Sequence, residues 1–262
     1  MDKNWVLITG ASTGIGRALA NRFAKEGYNT VLVARDAQKL FDVSGVLQNT
    51  YGISVCVIPK DLSVRGAAQE LFHELEKRQI LINILINNAG LGACGLFEQI
   101  ESDRDMQVID LNIRALTELT KLGIRHMRSH GGGRILNVAS TGSYQPGPYI
   151  GVYYASKAYV LSLSQAVRNE LKGSGIIVCT LCPGSTATEF SKRAGKADIK
   201  GAMTAQKVAD YAYRGLIKGK AVIIPGVMNK VLVAASKLLP GSLSASVVAH
   251  IQRKLTASFD RH

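Results

Sequence analysis

The sequence predicts an α/β protein in which helices cover both faces of a doubly wound parallel sheet, giving three layers. Short apolar runs alternate with longer stretches whose apolar residues recur at helical spacing, which is the pattern of repeated strand–helix units. Several of the short runs are apolar throughout, as expected for strands that are buried on both faces. The 262 residues contain no internal repeat and no low-complexity linker. One domain, residues 1–262, is therefore the simplest organisation.

Each predicted element follows from its local pattern. Compact apolar runs predict strands at residues 5–9, 29–34, 53–59, 84–87, 134–139, 176–181 and 221–224. The amphipathic stretches between them predict helices at residues 15–26, 37–51, 64–78, 102–130, 152–172 and 204–218. From about residue 225 the helical spacing resumes as a C-terminal extension, which Pro240 and Gly241 should break into two short helices.

The first predicted strand leads into a glycine-rich turn. Thr9 ends the strand, and the glycines that follow have the spacing G-x-x-x-G-x-G rather than the common G-x-G-x-x-G of Rossmann-type nucleotide sites. Glycines let the backbone approach a pyrophosphate, and the N-terminus of the next helix offers free amides and a favourable dipole. We predict that a nucleotide binds this turn through Gly10, Ser12, Thr13, Gly14, Ile15 and Gly16.

Tyr153 and Lys157 are four residues apart and therefore share a face of the predicted helix 152–172. A free phenol has a pKa of about 10, and a nearby ammonium should lower that pKa toward the working range. Ser140, which lies upstream, can hold a substrate oxygen against the phenol. With a nucleotide site, these groups describe hydride transfer to or from a carbonyl carbon. Taken alone, Tyr153 would equally fit a half-buried aromatic residue on an amphipathic helix; Tyr154 has no lysine four residues on.

Taken in order, these motifs resemble those of the short-chain dehydrogenase/reductase family in its compact single-domain form. The matching segments are TGASTGIG from Thr9, NNAG from Asn87, DLN ending at Asn112, NVAS ending at Ser140, YYASK from Tyr153 and the segment from Pro183-Gly184 to Thr188. The C-terminal extension matches no motif of the family. The resemblance implies a Rossmann-type fold and an NAD(P)-dependent oxidoreductase.

By the same resemblance, Asn112, Ser140, Tyr153 and Lys157 form the catalytic set. Tyr153 would donate a proton to the carbonyl oxygen while hydride arrives from the nicotinamide. Lys157 would lower the pKa of the phenol and hold the ribose hydroxyls. Asn112 would position a water that replenishes the proton through Lys157. The alternative for Asn112 is an asparagine that caps or kinks a long helix.

Arg35 bears on the choice of cofactor, because it follows the second predicted strand. A carboxylate at that place would bind ribose hydroxyls and repel a 2′-phosphate, whereas an arginine can grip the phosphate. The sequence therefore favours NADP(H) over NAD(H), with a solvated strand-end arginine as the alternative. The resemblance adds further cofactor contacts: Asp61 and Leu62 at the adenine, Asn88, Ala89 and Gly90 along the cofactor, Tyr153 and Lys157, and Pro183, Gly184, Thr186 and Thr188 near the nicotinamide. Thr186 departs from the family, which often has an apolar residue there.

The substrate pocket is predicted from three segments, residues 91–96, 141–149 and 190–199. They contain Cys94, Tyr144, Tyr149 and Phe190, and no arginine clearly aimed inward. That composition favours an apolar ketone or aldehyde, such as a lipid-derived, steroid-like or carrier-bound acyl compound. The rival interpretations are a nucleotide-sensing protein without activity and a membrane-surface interaction protein on the same fold.

The formal charge of +13 is unevenly placed. From Ser185 onward thirteen Lys and Arg stand against four Asp and Glu. A solvated basic face is the plainest interpretation, and attraction to acidic lipid surfaces or to anionic carriers is the other. No nucleic-acid motif accompanies the charge, so no nucleic-acid partner is expected. The C-terminal helices could pack within the protein, pack in the homodimer or homotetramer that the resemblance implies, or lie on an acidic membrane surface.

The four cysteines fit a reducing compartment. Cys179 and Cys182 form a C-x-x-C pair, but residues three apart on a strand point to opposite faces, and no second pair or nearby histidine completes a zinc site. We therefore predict core thiols and no metal. No signal peptide is recognised, and residues 238–252 are too short and too polar to span a bilayer. The expected location is the cytoplasm, free or peripheral to a membrane.

Overall fold

The computed structural model describes residues 4–189 and 201–256, with side chains described up to residue 253. The strands are β1 Trp5–Thr9, β2 Asn29–Ala34, β3 Val55–Pro59, β4 Ile82–Asn87, β5 Gly133–Val138, β6 Ile176–Leu181, β7 Thr186–Ala187, β8 Met203–Thr204 and β9 Val222–Ile223. Seven of them form one parallel sheet in the order β3-β2-β1-β4-β5-β6-β9, and β7 pairs with β8 separately. The order reverses between β1 and β4, where ligands of open α/β sheets bind.

Helices cover both faces of this sheet. They are α1 Gly14–Lys25, α2 Ala37–Tyr51, α3 Ala67–Lys77, α4 Ser102–Ile109, α5 Leu116–Arg128, α6 Gly151–Glu170, α7 Ala205–Ile217, α8 Val227–Leu238 and α9 Gly241–Thr256. One core cluster joins the sheet to α1, α2 and α7, and a second joins it to α3, α5 and the end of α6. The predicted three-layer α/β fold is confirmed.

The predicted helix 102–130 is the largest error in the element prediction. The chain there is helical throughout, but a π-helical turn, Asp110–Ala115, separates α4 from α5. Such turns carry one extra residue and often mark functional sites. The periodicity of the flanking helices hides the extra residue, so the sequence pattern did not reveal it. Asn112 lies within this turn and is fully buried.

Smaller differences concern the ends of elements. The predicted helix 64–78 begins later, at Ala67, because Asp61 accepts hydrogen bonds from the backbone and hydroxyl of Ser63 and because Gly66 has a left-handed φ of 84°. The third strand begins at Val55 rather than at residue 53, and β4 begins at Ile82 rather than at residue 84. The last strand, predicted over 221–224, keeps only two paired residues. The short β7–β8 pair was not predicted.

The break in the C-terminal extension is confirmed. Leu239, just before Pro240, is extended, with φ −85° and ψ 139°, and ends α8. A residue that precedes proline is pushed out of the helical region, so the local sequence is sufficient to place this break. No helix within the described ranges is both long enough and apolar enough to cross a membrane.

The two thiols of the C-x-x-C pair diverge, as predicted. Cys179 is buried in the core cluster shared with α1, α2 and α7, whereas Cys182 belongs to a different cluster that contains Val160 and Leu161 of α6. Both are free thiols. Because they face different sides of the sheet, they cannot act together on one metal or form a disulfide.

Candidate active site

The segments that carry the predicted site residues meet at the carboxyl edge of the sheet. Thr9 ends β1, Asn87 ends β4, Ser140 follows β5 by two residues and Pro183 follows β6 by two. Parallel strands bring these ends together, although the residues are far apart in sequence. The edge therefore forms one continuous crevice around the β1–β4 reversal.

The backbone of the glycine turn can be approached closely by a ligand, because its glycines carry no side chains. Gly10 and Gly14 have left-handed φ angles of 66° and 55°, which glycine adopts readily. A Cβ on Gly16 would collide with the carbonyl oxygen of Gly10, so no other residue fits there without a shift. Thr13 is extended at the N-cap of α1, and its side chain makes no capping hydrogen bond. The first amides of α1 are thus open to an anion.

Thr9 and Asn88 fasten this turn to the segment after β4. The Thr9 hydroxyl accepts hydrogen bonds from the backbone amides of Asn88 and Ala89, each at 3.0 Å. The side-chain amide of Asn88 donates to the carbonyl oxygens of Thr9, at 2.9 Å, and Gly10, at 3.3 Å. Asn88 therefore shapes the crevice with its side chain. Thr9 was not among the predicted site residues, although a threonine at a strand end before the first glycine was a usable signal.

The nicotinamide end of the predicted cofactor site faces the same turn. A Cβ on Gly14 would lie 3.2 Å from the Cβ of Thr188, so the two predicted segments are in contact distance. Thr186 donates its hydroxyl to the carbonyl of Gly184 at 3.0 Å and so supports the backbone that leads to Thr188. The carbonyl of Pro183 accepts from the amide of Thr141 at 2.9 Å, which ties this segment to the loop after Ser140.

Arg35 lies at the other end of the crevice, after β2, with its side chain 57% exposed. One guanidinium nitrogen is 3.8 Å from the carboxylate of Asp61. This ion pair is loose, so the N–H donors of the guanidinium are available to a ligand. Lys39, in the first turn of α2, lies 4.0 Å from Glu189 and adds a second cation that the sequence reasoning missed. Leu62 is buried in the core beneath β3, so only its backbone can face an adenine.

Lys157 lies beside the ring of Tyr153 and is buried. Its side chain is 4% exposed, and its Nζ donates to the carbonyl of Val138 at 2.8 Å and lies 5.7 Å from the ring centre of Tyr153. Burial lowers the pKa of Lys157 to about 8. Burial also raises the pKa of Tyr153, against a smaller lowering by its hydrogen bond with Ser140. The pKa of the phenol is thus raised overall, because burial outweighs the hydrogen bond, and a lowering contribution from Lys157 stays a prediction.

Ser140 is held in place by the turn that follows it. Its hydroxyl accepts from the amide of Gly142 at 3.0 Å, and its own amide donates to the hydroxyl of Ser143 at 3.3 Å. Ser143 in turn donates to the backbone carbonyl of Lys157 at 2.8 Å. This chain of bonds sets the distance between the Ser140 turn and α6, so Ser143 is a positioning residue that sequence reasoning missed.

Asn112 joins the π-helical turn to the segment after β4. Its side-chain oxygen accepts from the amide of Leu91, and its nitrogen donates to the carbonyl of Leu91, both at 2.9 Å. The nitrogen also donates to Ser156 at 3.0 Å. A Cβ on Gly90 would lie 3.2 Å from the Asn112 oxygen and 3.3 Å from Lys157 Nζ. Gly90 thus leaves a small space bordered by both polar groups.

A buried polar network supports the crevice from below. Asn87 donates to Thr120 at 3.1 Å and to Asn137 at 2.9 Å, and Asn137 donates to Ser164 at 2.9 Å. This network links β4, β5, α5 and α6 close to the residues of the predicted catalytic set. An asparagine that directly follows an apolar run, residues 84–86 in β4 and 135–136 in β5, was the signal for each of the two central members.

A cavity of about 620 Å³ is lined by residues near the predicted catalytic set but not by Ser140, Tyr153 or Lys157. Its wall includes Gly95, Ser143 and residues 145–149 of the predicted pocket segments, together with neighbours that were not predicted: Phe97, Ile100 and residues 150–152, with Tyr154, Ala155 and Ala158 of α6. Tyr153 is absent from this wall, so we do not take the cavity by itself as the place of reaction. The third predicted pocket segment, 190–199, lies outside the described residues.

Fold and site together define a Rossmann-type α/β protein whose sheet edge brings a glycine-rich turn together with Ser140, Tyr153 and Lys157. The chain belongs to the short-chain dehydrogenase family: the family model with the description short chain dehydrogenase matches residues 4–198. The fold of this family binds a nicotinamide cofactor. The family membership predicted from the motifs is confirmed.

Three known proteins illustrate the likeness. The 17-beta-hydroxysteroid dehydrogenase type 3 of Rattus norvegicus is 33% identical over 192 residues, which are 72% of this chain but 61% of that protein, less than two thirds of its length. A short-chain dehydrogenase from Sphingobium yanoikuyae, in complex with NADPH, aligns with a TM-score of 0.81 and 35% identity over 88% of this chain and 93% of the other. The 3-ketoacyl-(acyl-carrier-protein) reductase from Brucella melitensis, complexed with NADH, aligns with a TM-score of 0.76 and 26% identity over 84% and 96%.

Proposed function

We propose that this protein reduces an apolar ketone or aldehyde with NADPH, or oxidises the matching alcohol with NADP⁺. The observation that carries the proposal is the hydrogen bond between Ser140 and Tyr153, with Lys157 buried beside them, at the same sheet edge as the glycine turn. A proton donor, a holder for the substrate oxygen and a nucleotide cradle thereby share one crevice.

The residues of the crevice fit a dinucleotide. The turn through Gly10, Gly14 and Gly16 presents backbone alone, and the N-terminus of α1 offers amides to a pyrophosphate. Thr188, beside Gly14, is placed to hold a carboxamide. When bound, the nicotinamide supplies or accepts the hydride.

The chain's own part in the reaction is the handling of one proton. In the reducing direction the carbonyl carbon gains the hydride, and the carbonyl oxygen gains a proton from the phenol of Tyr153. Ser140 holds that oxygen by a hydrogen bond. Because burial raises the Tyr153 pKa, the phenol is fully protonated before the step, which suits a donor. The phenolate left behind is stabilised by Ser140 and by the ammonium of Lys157.

Asn112 completes the proton path in this proposal. The Asn112 oxygen and Lys157 Nζ both pack against Gly90, so the two groups are neighbours that one water can bridge. Through that water, Lys157 can return a proton to Tyr153 after each turnover. The lowered pKa of Lys157, about 8, makes this exchange feasible near neutral pH.

The preference for NADP(H) rests on Arg35. Its guanidinium is exposed at the end of β2 and only loosely paired with Asp61, and Lys39 adds positive charge nearby. A 2′-phosphate would gain charge-assisted hydrogen bonds there. The relatives described above include an NADPH complex and an NADH complex, so the proposal depends on this chain's own residues.

The apolar substrate class rests on the residues around the site. The loop before Tyr153 and the neighbouring cavity wall present Phe97, Ile100, two prolines and two tyrosines. The similarity to a hydroxysteroid dehydrogenase and to a ketoacyl reductase supports steroid-like or acyl-like compounds. A cytoplasmic location and a homodimer or homotetramer stay predictions.

The decisive experiment is a panel of steroid, acyl and small polar ketones assayed with NADPH and with NADH by the change in absorbance of the nicotinamide. We expect turnover of bulky apolar ketones with NADPH. Binding of NADPH without turnover of any panel member, or of the corresponding alcohols with NADP⁺, would favour the nucleotide-sensing interpretation. Faster turnover with NADH would refute the cofactor assignment.

A further inference from the structure

The two C-terminal helices, α8 and α9, each expose several large apolar side chains. On α9, three apolar residues four positions apart are 49–50% exposed, and the residue that directly follows each of them is only 3–4% exposed. The exposed set is Leu243, Val247 and Ile251. The buried set is Ser244, Val248 and Gln252. One stripe of this helix therefore packs on the protein and the next stripe, which is wholly aliphatic, faces away from it.

The same holds on α8, where Val233 is the buried apolar side chain. Its exposed apolar residues recur at helical spacing along the whole helix: Val227, Met228, Val231, Leu232 and Leu238, each more than half exposed. We call these residues and the exposed set of α9 the outer face. Large aliphatic side chains gathered in this way mark a surface that is covered by a partner or a membrane.

The charge around the outer face has one sign. Between Asp210 and Asp260 the sequence contains no Asp or Glu, but it has seven Lys and Arg. Lys230 on α8 is exposed, and Lys237 and Arg253, which are also exposed, lie toward Tyr144 and Tyr149. An aliphatic stripe on helices that carry cations and no carboxylate complements an acidic lipid surface, into which the stripe inserts while Lys230 meets the headgroups.

A second copy of the chain fits the outer face less well. A symmetric contact would bring the lysines of both copies together without a carboxylate from the same region to offset them, and such like-charge contacts are unfavourable. Anionic headgroups offset the same cations directly.

The inner side of the helix pair is fastened to the loop before the catalytic tyrosine. Gln252 donates to the hydroxyl of Tyr154 at 3.3 Å, and Arg253 donates to the hydroxyl of Tyr149 at 3.0 Å. Lys237 Nζ lies 5.0 Å from the ring centre of Tyr144. The outer face is thus the far side of an element that directly supports the cavity-lining loop.

We propose that the outer face of α8 and α9 docks on acidic lipid bilayers and so holds the loop of residues 141–150 beside the membrane surface. The element lies on the surface and does not cross it, because α9, the longer of the two helices, has only 16 residues and carries polar ones on its inner side. This inference does not depend on the proposed reaction, since binding to vesicles needs neither cofactor nor substrate.

The first test is sedimentation of the full chain with vesicles of phosphatidylcholine alone and of phosphatidylcholine and phosphatidylserine in equal parts. We expect binding to the mixed vesicles, weakened by salt, and little binding to the neutral ones. Changing Leu243, Val247 and Ile251 together to serine should lower the partition coefficient at least tenfold, on the order of what loss of half-buried aliphatic area predicts. The matched control is Phe41→Ser with Val46→Ser, two exposed apolar residues of α2, which should leave binding unchanged.

The contribution of charge is tested separately. Lys230→Gln should weaken binding about fivefold, which is the value expected for one lysine near an anionic surface, and Lys77→Gln on α3 should not weaken it. A positive reporter is Val247→Trp: its emission should shift to the blue with mixed vesicles, whereas that of Phe41→Trp should not. The chain has one tryptophan, Trp5 in β1, so the background is constant.

Several outcomes would overturn the proposal. They are no binding by the unchanged chain, equal binding to neutral and acidic vesicles, or equal loss in the α2 control. If the serine variant instead lost an oligomer that the unchanged chain forms, and vesicles were not bound, the outer face would be a contact between copies. Thermal melting of each variant confirms that it is folded before these comparisons are made.

Discussion

The glycine turn at β1–α1 and the helix pair α8–α9 meet the rest of the molecule in opposite ways. At the turn the backbone of Gly10 bonds to Val33 and to the side chain of Asn88, and a single added Cβ at Gly16 would collide with the Gly10 carbonyl. In the helix pair the contacts are made by side chains at the ends of two helices, and the neighbouring stripe is left exposed. The first region tolerates almost no change of shape, whereas the second is held by a few polar bonds on one side. A nucleotide cradle needs the former, and a docking element can be built from the latter.

Tyr153 and Tyr154 stand at the junction of these two regions. The hydroxyl of Tyr153 bonds with Ser140 at the crevice, and that of its neighbour bonds with Gln252 of α9. Tyr153 thus points its hydroxyl to the proposed site of reaction, whereas the adjacent Tyr154 attaches α6 to α9. The following predictions separate the two roles.

The largest effect is expected for Tyr153→Phe. The ring keeps its packing but loses the proton, so turnover of a confirmed ketone should fall by about 10²–10⁴-fold, while NADPH binding measured by fluorescence persists. Tyr154→Phe is the matched control and should reduce turnover only slightly. Similar losses in both variants would mean that the two tyrosines are not divided in this way.

Arg35→Asp should act on the nucleotide end alone. The change removes a charge-assisted bond to the 2′-phosphate and adds repulsion, so the dissociation constant for NADPH should rise at least tenfold, while that for NADH changes little. Calorimetric titration with each cofactor measures both values. Equal effects on the two cofactors would remove Arg35 from the site. Arg65→Asp, an exposed arginine in the turn before α3, is the control for general charge.

Gly16→Ala tests whether the turn is as restricted as its geometry indicates. The added methyl must displace the Gly10 carbonyl, and we expect a loss of about 1–3 kcal/mol in the free energy of unfolding together with weaker cofactor binding. Gly45→Ala in α2 makes the same chemical change where nothing lies within 4 Å. That variant should be about 0.4–1 kcal/mol more stable than the unchanged chain. Chemical denaturation measures whether the free energy of unfolding falls or rises in each variant.

The smallest effect is expected for Gln252→Ala in the helix pair. It removes one polar bond to Tyr154 and leaves that hydroxyl with less support, for a loss of about 1 kcal/mol in stability. Because Tyr154 borders the cavity, KM for an apolar ketone should change more than kcat does. Cofactor affinity should not change, and a change there would show that the two regions are coupled.

Much of the fold could be predicted because its signals are local. The apolar run before Gly10, the glycine spacing and the Pro240 break each depend on residues within one turn of one another. The ends that were misplaced, such as the start of α3, depend on a side-chain turn at Asp61 and on the left-handed Gly66, which the apolar pattern does not encode. The candidates for the catalytic set could be chosen from the order of the motifs, but their distances and burial could not be predicted from it.

The sequence by itself determined the layered α/β architecture, the glycine turn at β1–α1 and the break between α8 and α9. Each of these depends on backbone preference or on periodicity over a few residues. Only the tertiary structure decided that the pKa of Tyr153 is raised, that Asn112 lies in a π-helical turn bonded to Leu91, and that Leu243, Val247 and Ile251 face outward. Burial and hydrogen-bond partners come from segments distant in sequence, so no local pattern contains them.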